Sequence, residues 1–138
     1  MQVREIMTRG VCIIDPDETI QRAAEIMADR DAGAVPVGEN DRLVGIITDR
    51  DIAVRGVANG KGPDAKVRKV MTREIKYCFE DQDVDDVLNN MAEIRVRRLP
   101  VVNHSKRLVG ILSLGDIACE GNGAKIGQVM HEISQPDG

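Results

Sequence analysis

Thr48 and Asp51, and again Ser113 and Asp116, set a carboxylate three residues after a hydroxyl, each time where one apolar run gives way to another. Two chemistries suit that spacing. In a capping box the hydroxyl accepts from an early helical N–H while the acid accepts from the backbone of the hydroxyl residue. In a binding site the same helix start turns unpaired N–H groups and the helix dipole toward an anion, and its carboxylate accepts from two hydroxyls of a sugar. The two uses are compatible, and the motif by itself leaves both open.

The elements that carry the motif occur twice. Residues 3–53 return as residues 67–118: Met71 lies 64 residues after Met7 and Pro100 64 after Pro36, while Gly110 and Asp116 follow Gly45 and Asp51 by 65. Such a repeat makes each half one supersecondary unit whose apolar face needs the other, and predicts packing about a pseudo-two-fold axis with any ligand between the halves. Each half reads strand, helix, strand, strand, helix. Val11-Cys12-Ile13-Ile14 is an apolar run before the turn Asp15-Pro16-Asp17-Glu18. Ile20, Ala23, Ala24 and Met27 then follow amphipathic helical spacing, matched by Val84, Val87, Leu88 and Met91. A hairpin follows, its apolar runs at Ala34–Val37 and Leu43–Thr48 split by residues 38–42, and again at Leu99–Val102 and Leu108–Ser113 split by residues 103–107. Strands this apolar are expected to be buried on both faces.

The repeats are placed at residues 1–60 and 67–120, joined by a linker at 61–66 within a stretch rich in glycine and turn formers. A tail, 121–138, holds a third copy of the opening segment, Ile126 to His131, matching Val3–Thr8 and Val67–Thr72. It is expected to pack as the earlier openers do, against a partner chain, or to be a remnant of duplication.

Composition bounds the function. With 138 residues and 42% of them hydrophobic, the chain has the material for a core, and with one Phe, one Tyr and no Trp that core must be aliphatic. The lack of stacking platforms and a net charge of −4 argue against a nucleic-acid partner. A charged start at Arg4 and Glu5, and no apolar run near ~20 residues, predict neither a signal peptide nor a membrane span, hence a cytoplasmic protein. Cys12, Cys78 and Cys119 lack paired spacing and are expected to be reduced, buried thiols. His104 and His131 have no second ligand at metal spacing, and no catalytic constellation is present, so neither a metal nor an enzyme is expected.

Both motifs keep the same company, a hydrophobic-x-Pro-Val stretch and then Arg-Leu-Val-Gly: Val35-Pro36-Val37 with Leu43 to Asp51, and their repeats. Over residues 3–118 the chain resembles the cystathionine-β-synthase-type (CBS) domain, found as tandem pairs called Bateman modules. The resemblance implies an α/β (α+β) fold of two pseudo-symmetric β-α-β-β-α repeats packed sheet against sheet, with adenosine ligands such as AMP, ADP, ATP or S-adenosylmethionine. It implies that Thr48 and Ser113 reach phosphate and Asp51 and Asp116 reach ribose. Gly33, Ala34 and Val35, and Arg97, Arg98 and Leu99, would lie beside base and phosphate. The opener of the opposite half would complete each site, bringing Thr72 to Tyr77 near Asp51 and Thr8 to Cys12 near Asp116. It also implies homodimers formed through helices, and a face such as Ala23, Ala24 and Met27 would serve as easily at that interface as in the core.

The two sites are expected to differ. Arg97 and Arg98 offer paired donors for phosphate, or form a solvated turn or a salt bridge, whereas Gly33 and Ala34 leave room without charge. Arg50 either supplies a cation or points to solvent, and Gly115 opens the backbone to a ligand. No cofactor is required. The expected function is a regulatory module that senses an adenine nucleotide in the cleft between the repeats and signals, through conformation or assembly, to an unidentified protein target. The alternative is a ligand-free dimerisation scaffold. The binding use further predicts that Asp116→Ala weakens nucleotides while sparing the stability of the empty protein.

Overall fold

The computed structural model describes residues 1–118 together with His131 and Ile133. Cys119 and the rest of the third opener lie outside the described residues. The described chain forms two compact units, and they do not coincide with the sequence repeats. One unit is Cys12–Ile75; the other joins Met1–Val11 to the described residues from Lys76.

In the unit Cys12–Ile75, helix α1 (Ile20–Arg30) is capped by the Thr19 hydroxyl, which accepts from the Arg22 N–H. It is followed by strands β1 (Ala34–Glu39) and β2 (Arg42–Thr48), an antiparallel pair closed by Asn40 and Asp41, both left-handed as a two-residue hairpin turn of the right twist demands. The short helix α2 (Asp49–Asp51) continues as one wide π-helical turn, Ile52–Gly56, and a 3-10 turn, Val57–Asn59. In the other unit, β3 (Cys78–Phe79) runs parallel to β4 (Arg98–Val102), which pairs antiparallel with β5 (Leu108–Ser113). Between them lies α3 (Val84–Ile94), and α4 (Leu114–Ala118) follows β5.

Each unit has its own aliphatic core, and the opener in it comes from the other repeat. Val67, Val70 and Met71 are buried with Ile20, Ala23, Val35 and Ile47, whereas Val3 and Met7 are buried with Leu88, Met91, Leu99 and Leu112. The 61–66 segment is tied down as well, for the carbonyls of Pro63 and Ala65 accept from Gln21 and Ile20, and Val67 donates to Glu18.

Three local expectations change. The strand at Val11–Ile14 shrinks to a single parallel bridge between Ile14 and Val37, because Ile13 is 40% exposed and the Asp15-Pro16 turn follows at once. On α1 the buried stripe is Ile20, Ala23, Ile26 and Met27; Ala24 faces out, since Ile26 buries more apolar surface than an alanine can. Of the two uses open to that face, Ala23 and Met27 take the core. Burial on both faces holds for most of β1 and β4, but β2 and β5 largely alternate between buried and half-buried positions.

The glycine of each Leu-Val-Gly-Ile run marks where an opener crosses a hairpin. Ile46 and Thr72 exchange both backbone hydrogen bonds, at 2.9 and 2.8 Å, as do Ile111 and Thr8. A Cβ on Gly45 would stand 2.9 Å from the Thr72 carbonyl oxygen, and one on Gly110 would stand 2.8 Å from that of Thr8. Gly45→Ala and Gly110→Ala are each expected to destabilise by ~1–2 kcal/mol through this overpacking. Urea unfolding at unchanged slope checks it; variants as stable as wild type would show that the openers dock elsewhere.

Candidate functional site

At the end of β2, Thr48 leaves the strand and its Oγ1 accepts from the Asp51 N–H at 3.0 Å, while the Thr48 N–H donates to Asp51 Oδ2 at 3.0 Å. Ser113 and Asp116 repeat the arrangement at 3.0 and 3.1 Å. Both motifs are thus complete capping boxes, each made by one strand running directly into a helix.

The capping bonds do not exhaust the carboxylates. A second hydroxyl, carried in by the exchanged opener, donates to each: Thr72 Oγ1 to Asp51 at 3.2 and 3.3 Å, and Thr8 Oγ1 to Asp116 at 3.3 and 3.5 Å. A carboxylate has about four lone-pair directions, so each acid keeps acceptor capacity beyond these bonds. Asp51 is the one buried charged residue among those described, at 8% exposure, and Asp116 is half-buried. Arg55 stands one helical turn beyond Asp51, its Nε 3.9 Å from Oδ1 and its Nη1 donating to the Met71 carbonyl at 3.3 Å.

The surroundings differ in charge. Ala34 lies directly across the hairpin from Thr48, as Arg98 does from Ser113, and cross-strand partners share a face. Arg97 and Arg98 are exposed, and neither forms a side-chain hydrogen bond or ion pair with a described residue; the Arg97 carbonyl accepts from the Leu114 N–H. In the other unit the Gly33 carbonyl accepts from Asp49, whose carboxylate Oδ2 lies 3.2 Å from where a Cβ on Gly33 would be. An acid therefore covers the glycine that was expected to leave open, uncharged space. Val35 and Leu99 are core residues at 2% and 1% exposure, so they can present only backbone. Arg50 and Gly115 are exposed, and the nearest atom to a Cβ on Gly115 would be Ser113 Oγ at 3.5 Å.

Two of the named residues fall in the unit opposite to the acid they were assigned. Tyr77 belongs with the unit of Asp116, its ring edge-on to Phe79 at 5.8 Å and under the Lys106 ammonium at 5.6 Å. Cys12 belongs with the unit of Asp51 and packs against that core. Cys78 is buried, which pushes its thiol up to about 12, so it is protonated at neutral pH and a poor nucleophile. Thr72, placed near Asp51 by the resemblance, donates to it, whereas Arg55 was not among the residues singled out. Arg55 had a signal, since it follows Asp51 by four residues on a helix.

Among the described residues no cluster of three His, Cys, Asp or Glu side chains is placed to hold a metal, and no helix is long and apolar enough to cross a membrane. Known proteins fit this architecture. The chain is 37% identical over 135 residues to the CBS domain-containing protein YhcV of Bacillus subtilis, covering 94% of this chain and 96% of that one. The crystal structure of Hypoxic Response Protein I with two coordinated zinc ions superposes with a TM-score of 0.77 at 39% identity, over 86% of this chain and 98% of that one. The CBS domain pair of protein MJ0100, in complex with 5-methylthioadenosine and S-adenosyl-L-methionine, gives 0.75 at 29% identity, over 90% and 98%. The CBS domain model itself matches twice, at residues 3–56 and 67–120. With two copies of the hydroxyl–carboxylate helix start, each completed by an exchanged opener, the chain belongs to the CBS domain family and carries a tandem pair.

Proposed function

We propose that the protein is a regulatory module binding an adenine nucleotide at Ser113, Asp116 and Thr8 and at Thr48, Asp51 and Thr72, and that it acts as a homodimer on a protein target. The observation that carries this reading is the pairing of each helix-start carboxylate with an opener hydroxyl, which leaves an oriented acceptor for a ribose at both places. The adenosine-containing ligands of the MJ0100 pair support the ligand class. Arg97 and Arg98 would meet phosphate in the second site, and Arg50 stands free to do so in the first.

A ligand-free scaffold is favoured by one fact: both acids already complete capping boxes with protein partners alone. Thermal melting with AMP, ADP, ATP, S-adenosylmethionine and NAD separates the two. A ligand at about a hundred times its dissociation constant adds ~2.7 kcal/mol, a shift of several degrees for a chain of this size. At least one adenine nucleotide is expected to raise the melting temperature; flat curves across the panel would select the scaffold.

A further inference from the structure

The unit Cys12–Ile75 also holds an open groove of about 450 Å³, within the range of small-molecule pockets, about 300–1,000 Å³. Its wall gathers Arg55, Arg68, Lys69 and Arg73 with Thr72 and Glu74, four cations against one acid on a chain of net charge −4. The cations are not equivalent. Arg68 is committed to Asp17 at 2.7 Å and Glu39 at 3.6 Å. Arg55 and Arg73 each give an N–H to a backbone carbonyl, of Met71 at 3.3 Å and of Arg68 at 3.4 Å. Those bonds orient the guanidinium groups and leave their remaining donors for a ligand. Lys69 is exposed and has no ion-pair partner among the described residues. Two of the lining residues, Thr72 and Arg55, also touch Asp51, which places the groove beside that acid.

The repeat supplies an internal comparison. The sequence equivalents of Lys69 and Arg55 are Glu5 and Glu120, the latter outside the described residues, while Arg68 and Arg73 correspond to Arg4 and Arg9, so in sequence two of the four cations reverse their charge between the halves. Near Asp51 the hairpin side is acidic, at Asp49, and the opener side is basic. An anion there is driven toward the opener.

We infer that this groove receives a chain of phosphates, and that its counterpart in the other repeat does not. The chain belongs either to a nucleoside di- or triphosphate whose sugar lies at Asp51, which rests on the function proposed above, or to an inorganic polyphosphate, which does not. Guanidinium forks grip phosphate oxygens in pairs and the ammonium adds a point charge. Each further phosphate meets another cation, so affinity rises from phosphate through pyrophosphate to tripolyphosphate.

Calorimetry with tripolyphosphate, ATP and adenosine, on wild type and on Lys69→Gln/Arg73→Gln, tests it. Both side chains are exposed, so the fold survives, and an unchanged melting temperature verifies that. The double variant is expected to weaken tripolyphosphate and ATP at least about tenfold, the loss of one charge-assisted contact, while adenosine is unaffected. Tripolyphosphate binding that the variant abolishes, with no adenosine binding at all, upholds the groove and overturns the nucleotide sites. Equal tripolyphosphate affinity in both proteins, no affinity in wild type, or loss only on replacing Arg97 and Arg98 overturns the groove, whatever adenosine does.

Discussion

Asp116→Asn is expected to lower affinity for adenosine nucleotides by about 10–150-fold, the ~1.5–3 kcal/mol of one charge-assisted hydrogen bond, and to leave the melting temperature of the empty protein near that of wild type. The choice of substitution follows from the geometry. Asp116 accepts from the Ser113 N–H at 3.0 Å, and Thr8 donates to its other oxygen at 3.3 Å. An asparagine keeps one acceptor, enough for the capping bond, but puts an amide donor where a ribose hydroxyl or Thr8 must donate. Alanine removes both functions, so Asp116→Ala costs a further ~0.5–1.5 kcal/mol of folding stability from the lost Ser113 N–H bond, although the Ser113 hydroxyl still accepts from the helix. The sequence-based expectation that alanine would spare the empty protein is thereby corrected: the capping box is formed, and only the asparagine variant separates cap from site. Calorimetric titration with AMP alongside thermal melting reads both effects. Asp116→Asn binding AMP as tightly as wild type would reduce the acid to a cap.

What could be read from the residues follows from where side-chain pattern dictates structure. Helix α3 and both hairpins were legible because Val84, Val87, Leu88 and Met91, and the paired apolar runs, admit one period each. On α1 the pattern was ambiguous between Ala24 and Ile26, and alanine, with little to bury, imposes no orientation. The short strand at Ile14 failed because four apolar residues in a row do not ensure a partner for each backbone group. Exchange of the openers is invisible to periodicity: Val3 and Met7 carry the same pattern as Val67 and Met71, so either would fill either core. Only the resemblance to CBS pairs implied it. The closeness of Asp49 to Gly33 and the gathering of Arg68, Lys69 and Arg73 around Arg55 escaped for the same reason, since they join segments distant in the chain, whereas Arg55, one helical turn after Asp51, was readable and missed.

Replacing Arg97 and Arg98 together by alanine is expected to cost the second-repeat site about a hundredfold or more in AMP affinity and to leave adenosine far less affected. Two exposed guanidinium groups have no described ion-pair partner to satisfy, and Arg98 shares a sheet face with the Ser113 hydroxyl, across from it in the hairpin. Each arginine contact to phosphate is charge-assisted and often bidentate, ~1.5–3 kcal/mol, so two of them exceed the effect of the single acid. The first-repeat site has no equivalent pair: Gly33 and Ala34 stand there, and Asp49 adds a like charge that opposes a monophosphate. Wild-type protein should therefore bind AMP more tightly at the Asp116 site, with affinity falling as salt rises, and the double variant should lose both the preference and most of the salt dependence. Calorimetry with AMP and adenosine at two ionic strengths measures this directly. Equal losses for the two ligands would mean that the arginines shape the site without touching phosphate, and the inequality between the repeats would need another cause.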